Sequence, residues 1–357
     1  MSATSKHRVL LIGCGAVSKI LYIPGLGQLA ARGRLEVAGV VDPDLRRAET
    51  LAASFPGARS YAKLASALEE PGLSLAIVAA PHCLHEEIVL QCLDRDLAVL
   101  CEKPMAMTGL ECDRMIDRAR QGGRPLAIGH FRRFFPSCRA LRAIIKEGVL
   151  GPLRTFRILE GETYSWPAVS ASFFSRQSAG GGVLIDAGVH TLDLLLWWMG
   201  DVTDLAYKDD ALGGVEANCH LGMRMESGVE GTVQLSRDWP LPNRYDFDFE
   251  KGRITYCCDV IDRLDWRIPS GDPEIEGALR RIMDRENGAV SPSFLDCFIR
   301  QLENVLDAAE GAAELVVPAT EGRKAIDLIE KCYAQRTCLD MPWLDPVERK
   351  EALELHG

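Results

Sequence analysis

The feature that most limits the fold is the opening run VLLIGCGAVS (residues 9–18), an apolar strand pattern that breaks at Gly13-x-Gly15 and passes directly into a helical pattern. A strand that is apolar on both faces must be covered on both faces, and helices are the usual cover. The alternation then repeats. Arg8–Ile12, Leu35–Val41, Leu75–Ala79, Ala98–Cys101 and Leu126–Ile128 read as buried strands. Ala16–Ala31, Asp44–Phe55, Leu84–Asp94 and Gly109–Arg120 read as helices between them, and Thr108 with Glu111 forms a capping box for the last. This pattern predicts a doubly wound parallel α/β sheet of the Rossmann type.

The first turn suits a dinucleotide. Gly13 permits the tight turn, and Gly15 lets a pyrophosphate approach the helix N-terminus, with Ala16 and Val17 completing the cradle. The third position of the fingerprint is Ser18 rather than Gly or Ala, a departure expected to loosen strand–helix packing. Asp42 ends the second strand, where a carboxylate bonds ribose hydroxyls and repels a 2′-phosphate, so NAD is expected. Arg46 and Arg47 on the next helix keep NADP open. Ala79, Ala80, Pro81 and His82 end the third strand, where such sheets bind ligands, and His85 lies one turn on.

The pattern changes near residue 130. VEGTVQLSR (229–237) and YDFDFE (245–250) alternate apolar and polar residues, and Lys251–Gly252 turns the second back into RITYCC (253–258). Such alternation predicts an open-faced, mainly antiparallel sheet, one face packed and one polar. The division expected is a dinucleotide-binding domain over 1–129 and an α+β substrate and oligomerisation domain over 130–357. Helices are expected at Ser293–Ala309 and Glu321–Gln335, the last of the C-terminal helices packing back on the first domain, with the tail after Pro342 loosely attached.

A net charge of −10 over 357 residues argues against a nucleic-acid partner. The twelve cysteines form no disulfide framework and, with the seven histidines, show no zinc spacing, so reduced thiols and no metal are expected. Lys6–Arg8 followed by VLLIGC mimics a short lipoprotein signal, but its apolar core falls short of the roughly 7–15 residues required. No run of about 18 apolar residues suggests a membrane span. A cytoplasmic protein without membrane partners is expected.

The chemistry concentrates in GGGVLIDAGVHTLD (180–193) and CEKP (101–104). At helical spacing Asp186 and His190 share a face, with Asp193 one turn beyond, after a glycine run open to a ligand. Lys103, beside Pro104, follows a strand. A positioned lysine and a positioned histidine are what proton transfer at a hydroxyl requires.

LIGCGAVS, VVDPD, AAPHCLHEEIVLQCL, CEKPMAMT, GHFRRFFP and GGGVLIDAGVHTLDLLLWWMG occur in the order and spacing of one family. The chain resembles the glucose–fructose oxidoreductase, inositol dehydrogenase and rhizopine catabolism family (Gfo/Idh/MocA) from about residue 8 to 200, and less distinctly to about 335. The resemblance implies NAD(P)-dependent hydride transfer at a carbinol or carbonyl carbon of a sugar, cyclitol or related polyol. Lys103, Asp186 and His190 fall on the family's catalytic positions. On that reading the substrate hydroxyl sits between His190, its general base, and Lys103, which stabilises charge on the oxygen. Asp186 holds a neighbouring hydroxyl and Asp193 orients His190. Glu102 and Lys103 join the cofactor contacts, while Arg133, Tyr164 and Trp166 line the substrate site. Trp197 and Trp198 are expected to pack. Two alternatives remain open at this point: a glycosidase using NAD for transient oxidation, and a catalytically silent binding homologue. The resemblance also implies a homo-oligomer, dimer or tetramer, formed through the open sheet, whose polar face could otherwise be solvated.

Overall fold

A computed structural model describes residues 7–168, 174–269, 275–280, 292–340 and 345–356. The chain forms two compact units. The first comprises residues up to Phe131, a short stretch beginning at Trp166, and Phe294–Ile326; the second takes the remainder.

The first unit runs β1 (His7–Ile12), a π-helical turn (Ser18–Tyr22), α1 (Ile23–Ala31), β2 (Leu35–Val41), α2 (Leu45–Ala52), β3 (Arg59–Tyr61), α3 (Leu64–Ala67), β4 (Leu75–Val78), α4 (His85–Asp94), β5 (Ala98–Cys101), α5 (Gly109–Gly122) and β6 (Leu126–Ile128). Its strands pair in parallel in the order β3-β2-β1-β4-β5-β6, the doubly wound order with its switch point between β1 and β4. The capping box forms as expected: Glu111 N donates to Thr108 Oγ1, and Thr108 N donates to the Glu111 carboxylate.

The second unit begins with α6 (Pro136–Glu147), β7 (Leu153–Gly161), α7 (Arg176–Ala179), a second π-helical turn (Leu184–Gly188) and α8 (Val189–Met199). Then follow β8 (Val202–Asp209), β9 (Asn218–Met225), β10 (Glu230–Ser236), β11 (Arg244–Phe249), β12 (Gly252–Cys257), β13 (Arg263–Ile268) and β14 (Ile275–Arg280). The C-terminal elements are α9 (Phe294–Ala309), α10 (Ala319–Ala334), β15 (Arg336–Cys338) and α11 (Pro346–His356).

Among the described residues the second sheet has the order β14-β13-β12-β11-β7-β10-β9-β8-β15. It is mixed: β7 pairs with β10 in parallel, as β15 does with β8, and the other pairs are antiparallel. The predicted hairpin is present, with Phe249 opposite Gly252. Alternate residues Tyr245, Phe247, Ile254 and Tyr256 are buried, and Trp198 of α8 packs edge-on against Tyr245, Phe247 and Tyr256.

α9 belongs to the first unit, and the reason is apolar burial. Its Phe298, Leu302, Val305 and Leu306 join Tyr22, Leu26 and Leu29 of the first helical segment in one core with Val9, Leu11 and Ile77 of the sheet. Gly25 gives the close approach, since a Cβ there would touch Leu302 and Phe298. α9 and the first half of α10 thus complete the first unit. Pro342, where the loose tail was expected to start, lies outside the described residues.

One helical run, Arg176–Met199, is long and apolar enough to cross a membrane by length and composition, contrary to the sequence expectation; 78 % of its most apolar window is buried inside the protein. All twelve cysteines are free, and no metal-binding cluster of His, Cys, Asp and Glu exists among the described residues.

Candidate active site

In the first unit the glycine turn is held from below. Gly13 adopts φ +98°, and a Cβ there would fall on the Ala79 carbonyl and the Ala80 amide, so both conformation and proximity demand glycine. At Gly15 a Cβ would meet no protein atom within 4 Å. The turn thus keeps open space beside its backbone, the cradle a pyrophosphate needs. Asp42 is only 8 % exposed; its Oδ2 accepts from Cys14 N (2.9 Å) and its Oδ1 from Asp44 N (2.9 Å). Carboxylate oxygens accept more than one bond each, so both retain capacity for ribose hydroxyls. Arg47 pairs with Asp44 at 3.3 Å, while Arg46 is exposed. These residues fit NAD: a cradle for the pyrophosphate, and a fixed anion where the extra phosphate of NADP would lie.

Ser18 does the opposite of loosening the turn. It is fully buried and its hydroxyl donates to the Gly13 carbonyl at 2.6 Å, fastening the helix start to the strand end. The π-helical turn that begins there buries Tyr22, whose hydroxyl donates to Glu102 Oε1 at 2.7 Å. Glu102 Oε2 accepts the Lys103 amide at 3.2 Å. Through these two bonds Glu102 braces the loop after β5 against the first helical segment. Burial raises its carboxyl above the usual range, against the opposing effects of the Tyr22 bond and Lys103.

His85 also differs from its expected role. It is 1 % exposed, with Nδ1 and Nε2 each 2.9 Å from a carbonyl, of Pro104 and Ala80 respectively. It ties the loop after β4 to the loop after β5 and lines no open crevice. Burial, with help from His82, pushes its imidazole down to about 4 against the opposing pull of the carbonyls. His82 is half-buried and Pro81 exposed at the start of that loop, while Ala16 is buried and Val17 half-buried. Lys103 is half-buried, one residue beyond the Glu102 N–Val78 O bond (2.9 Å) that extends the pairing of β5 with β4; its peptide to Pro104 is cis.

In the second unit Asp186 lies in the π-helical turn and His190 in the first turn of α8, so the expected juxtaposition spans a change of helix type. Such π turns concentrate at functional sites. Asp186 is half-buried and His190 is 8 % exposed. Of the preceding glycines, Gly181 and Gly182 face protein rather than open space. A Cβ at Gly182 would fall on the Glu216 carbonyl, and one at Gly181 on the Tyr333 hydroxyl. Glycine here allows close packing against Glu216, a wholly buried residue. Its Oε1 accepts from Leu184 N (3.1 Å) and from the Tyr333 hydroxyl (2.8 Å), and its carbonyl accepts Val183 N (2.9 Å).

The far side of His190 is pinned by two arginines. Arg133 is 2 % exposed and grips Asp193 with both Nε (2.9 Å) and Nη2 (2.7 Å). Arg133, expected at the substrate site, is thus held by Asp193, the carboxylate expected to orient His190. Arg132 binds Glu160 (Nη2 to Oε1, 2.7 Å), and Glu160 accepts from the Thr191 hydroxyl (2.7 Å) and from Tyr245. The carboxyl of Glu160 is held below its usual range by Arg132 and these hydroxyls, which outweigh the largest single influence, burial. Trp197 carries the Arg133 and Arg142 guanidinium groups at 5.3 and 4.6 Å from its ring, and Trp198 Nε1 donates to the Cys138 carbonyl (3.0 Å), so both pack as expected.

Tyr164 meets Phe174 edge-on at 5.2 Å, and Asp186 is close enough to add to the burial that raises its phenol. Trp166 is 41 % exposed and makes no ring contact among the described residues. Sequence reasoning missed Tyr22, Arg132, Glu160, Thr191, Glu216 and Tyr333. The adjacent Arg132–Arg133 beside apolar flanks was the one visible signal, because consecutive buried arginines require carboxylate partners.

Family models agree with this architecture. One described as an oxidoreductase family with an NAD-binding Rossmann fold matches residues 7–130, and one described as the GFO/IDH/MocA C-terminal domain matches 138–255. The chain belongs to the Gfo/Idh/MocA oxidoreductase family. It is 32 % identical to mouse trans-1,2-dihydrobenzene-1,2-diol dehydrogenase over 205 residues, 57 % of each chain. It is 28 % identical to the rhizopine catabolism protein MocA of Rhizobium meliloti over 243 residues, 66 % of this chain and 73 % of that one. The match thus spans little more than half the length of the diol dehydrogenases. Two solved structures share the fold. The WlbA dehydrogenase of Bordetella pertussis, with NADH and UDP-GlcNAcA, aligns at TM-score 0.80 and 21 % identity over 92 % of this chain and 95 % of that one. A levoglucosan dehydrogenase with NADH and L-sorbose aligns at 0.81 and 18 % over 93 % and 97 %.

Proposed function

We propose that this protein is an NAD-dependent dehydrogenase or reductase acting on a carbinol or carbonyl carbon of a sugar, cyclitol or related polyol. The observation that carries the reading is the His190 segment. A nearly buried imidazole follows Asp186 by one turn, on a helix fixed by Glu216 at one end and by Arg132 and Arg133 at the other. That degree of fixation suits a proton-transfer group. His190 takes the hydroxyl proton in oxidation and returns it in reduction. Asp186 accepts a hydrogen bond from a neighbouring hydroxyl and orients the sugar. Lys103 stabilises negative charge as it develops on a reacting oxygen. NAD, held by the Gly13–Gly15 turn and Asp42, supplies the hydride chemistry when bound.

Absorbance at 340 nm with NAD or NADP and a panel of inositols, aldoses and sugar acids tests the reading. Turnover with NAD on a member of the panel is expected. The Lys103→Met variant should lower kcat by about two to four orders of magnitude while NADH affinity, read by fluorescence, changes little. Unchanged turnover in that variant would sink the assignment.

The same proposal extends to a homo-oligomer in a reducing, cytoplasmic setting. Free thiols support the compartment. The polar face of β11–β14 supports assembly, since its arginines are matched by acids, Arg253 with Asp248 (2.5 Å) and Arg263 with Asp265 (2.6 Å), so a second copy meets no net like charge there. Light scattering that gives a monomer mass would remove that part.

A further inference from the structure

The second unit holds a positive charge that the proposed reaction does not use. β10 ends at Ser236, and the next residue is Arg237. Its amide donates to the Ala217 carbonyl (3.0 Å), and its own carbonyl accepts Tyr164 N (2.7 Å). Arg237 and Tyr164 are thereby fixed together just beyond the carboxyl ends of the parallel pair β7 and β10. The π-helical turn carrying Asp186 packs on β10 at the same end, where Leu235 meets Gly188.

The Arg237 guanidinium stacks on Phe174 at 5.5 Å, and Phe174 is 51 % exposed, so the stack opens to solvent. Arg132, Arg133 and Arg336 of this unit each bind a carboxylate, whereas Arg237 makes no ion pair among the described residues. Its Nη1 and the Tyr164 hydroxyl are both sealed from water without a hydrogen-bond partner. Buried donors without acceptors cost free energy that a ligand's acceptors would return. Two such donors beside one aromatic ring, with Asp186 nearby, define what that ligand must offer.

We propose that Arg237 and Tyr164 form a carboxylate subsite, and that the substrate is a polyhydroxy acid, an aldonate or uronate, rather than a neutral polyol. This rests on the dehydrogenase reading above. A guanidinium fork matches a planar carboxylate, and the phenol supplies a further donor. A carboxylate brings one negative charge to one unpaired cation. A phosphate dianion would bring two, beside the Asp186 carboxylate. Asp186 in turn accepts from a hydroxyl near the acid group, so the two ends of a hydroxy acid meet opposite chemistry.

The test uses the full chain saturated with NADH, titrated calorimetrically with D-glucuronate, D-galacturonate and D-gluconate and with D-glucose, D-galactose and sorbitol. At least one acid should bind about tenfold or more tightly than its neutral counterpart, the worth of a charged hydrogen-bonded contact. Arg237→Gln should bring that ratio near one, and Arg237→Lys should restore part of it. Circular dichroism and NADH affinity of the variants verify folding. Equal binding of acids and neutral sugars, no binding of any acid, or a preference that survives Arg237→Gln overturns the subsite. Assays at 340 nm separate the two readings. Arg237-dependent acid binding without hydride transfer keeps the subsite and removes the dehydrogenase, whereas turnover on neutral polyols with no acid preference does the reverse.

Discussion

At the scale of single residues, His85 makes a pH prediction with a definite sign. Its folded-state value near 4 lies below the unfolded value of about 6.5. As pH falls the unfolded chain takes up the proton first, so the stabilisation present above about 6.5 drains away down to about 4. The slope is on the order of 1 kcal/mol per pH unit. Thermal melts between pH 7 and 4.5 should therefore steepen in the wild type and flatten in His85→Asn, which also starts lower because the imidazole's hydrogen bond to a backbone carbonyl is lost. Parallel curves would show that His85 does not govern this window. The residue was visible in PHCLHEE as a histidine at a helix start. Its role was not, because both of its partners are backbone carbonyls, of Ala80 and Pro104, which any sequence would supply. Asp42 was legible for the opposite reason: position after a strand determines what a carboxylate there can reach.

Among elements, α8 owes its placement to charge as well as to apolar contact. Asp193→Asn leaves the Arg133 guanidinium buried without its counter-charge, and about 3–5 kcal/mol of stability should be lost in urea denaturation. The double replacement Arg133→Met with Asp193→Leu should recover much of that loss, since an apolar pair of similar volume avoids the desolvation cost. A single variant as stable as the wild type would show that the pair does not hold the helix. The strands were readable because alternation and apolar runs act locally: β2, β5 and β6 match their expected ends. β3 was missed, being three residues long and not buried. The two π-helical turns were missed as well, since a 3.6-residue pattern carries no mark of one added residue. Which pairs of the second sheet run in parallel was hidden too, because alternation reports which face is buried and not which way a neighbour runs.

For the molecule as a whole, the first unit is completed by a segment far from it in sequence. A chain ended at residue 293 lacks α9, and Tyr22, Leu26 and Leu29 lose their cover. Such a chain should bind a hydrophobic dye and melt without a cooperative transition, and supplying residues 294–340 in trans should restore NADH binding at least in part. A cooperative melt and full NADH affinity in the shortened chain would mean that α9 is dispensable. Sequence patterns revealed α9 as amphipathic but not its destination, because a helix face that needs burial does not say which sheet it covers. This return has a consequence for biosynthesis. Ribosomes add about 5–20 residues per second, so on the order of ten to thirty seconds separate the emergence of the last strand of the first sheet from that of α9. Throughout that interval the nascent Rossmann half carries an uncovered apolar face, and the cell must shield it until the remaining half of the message has been read.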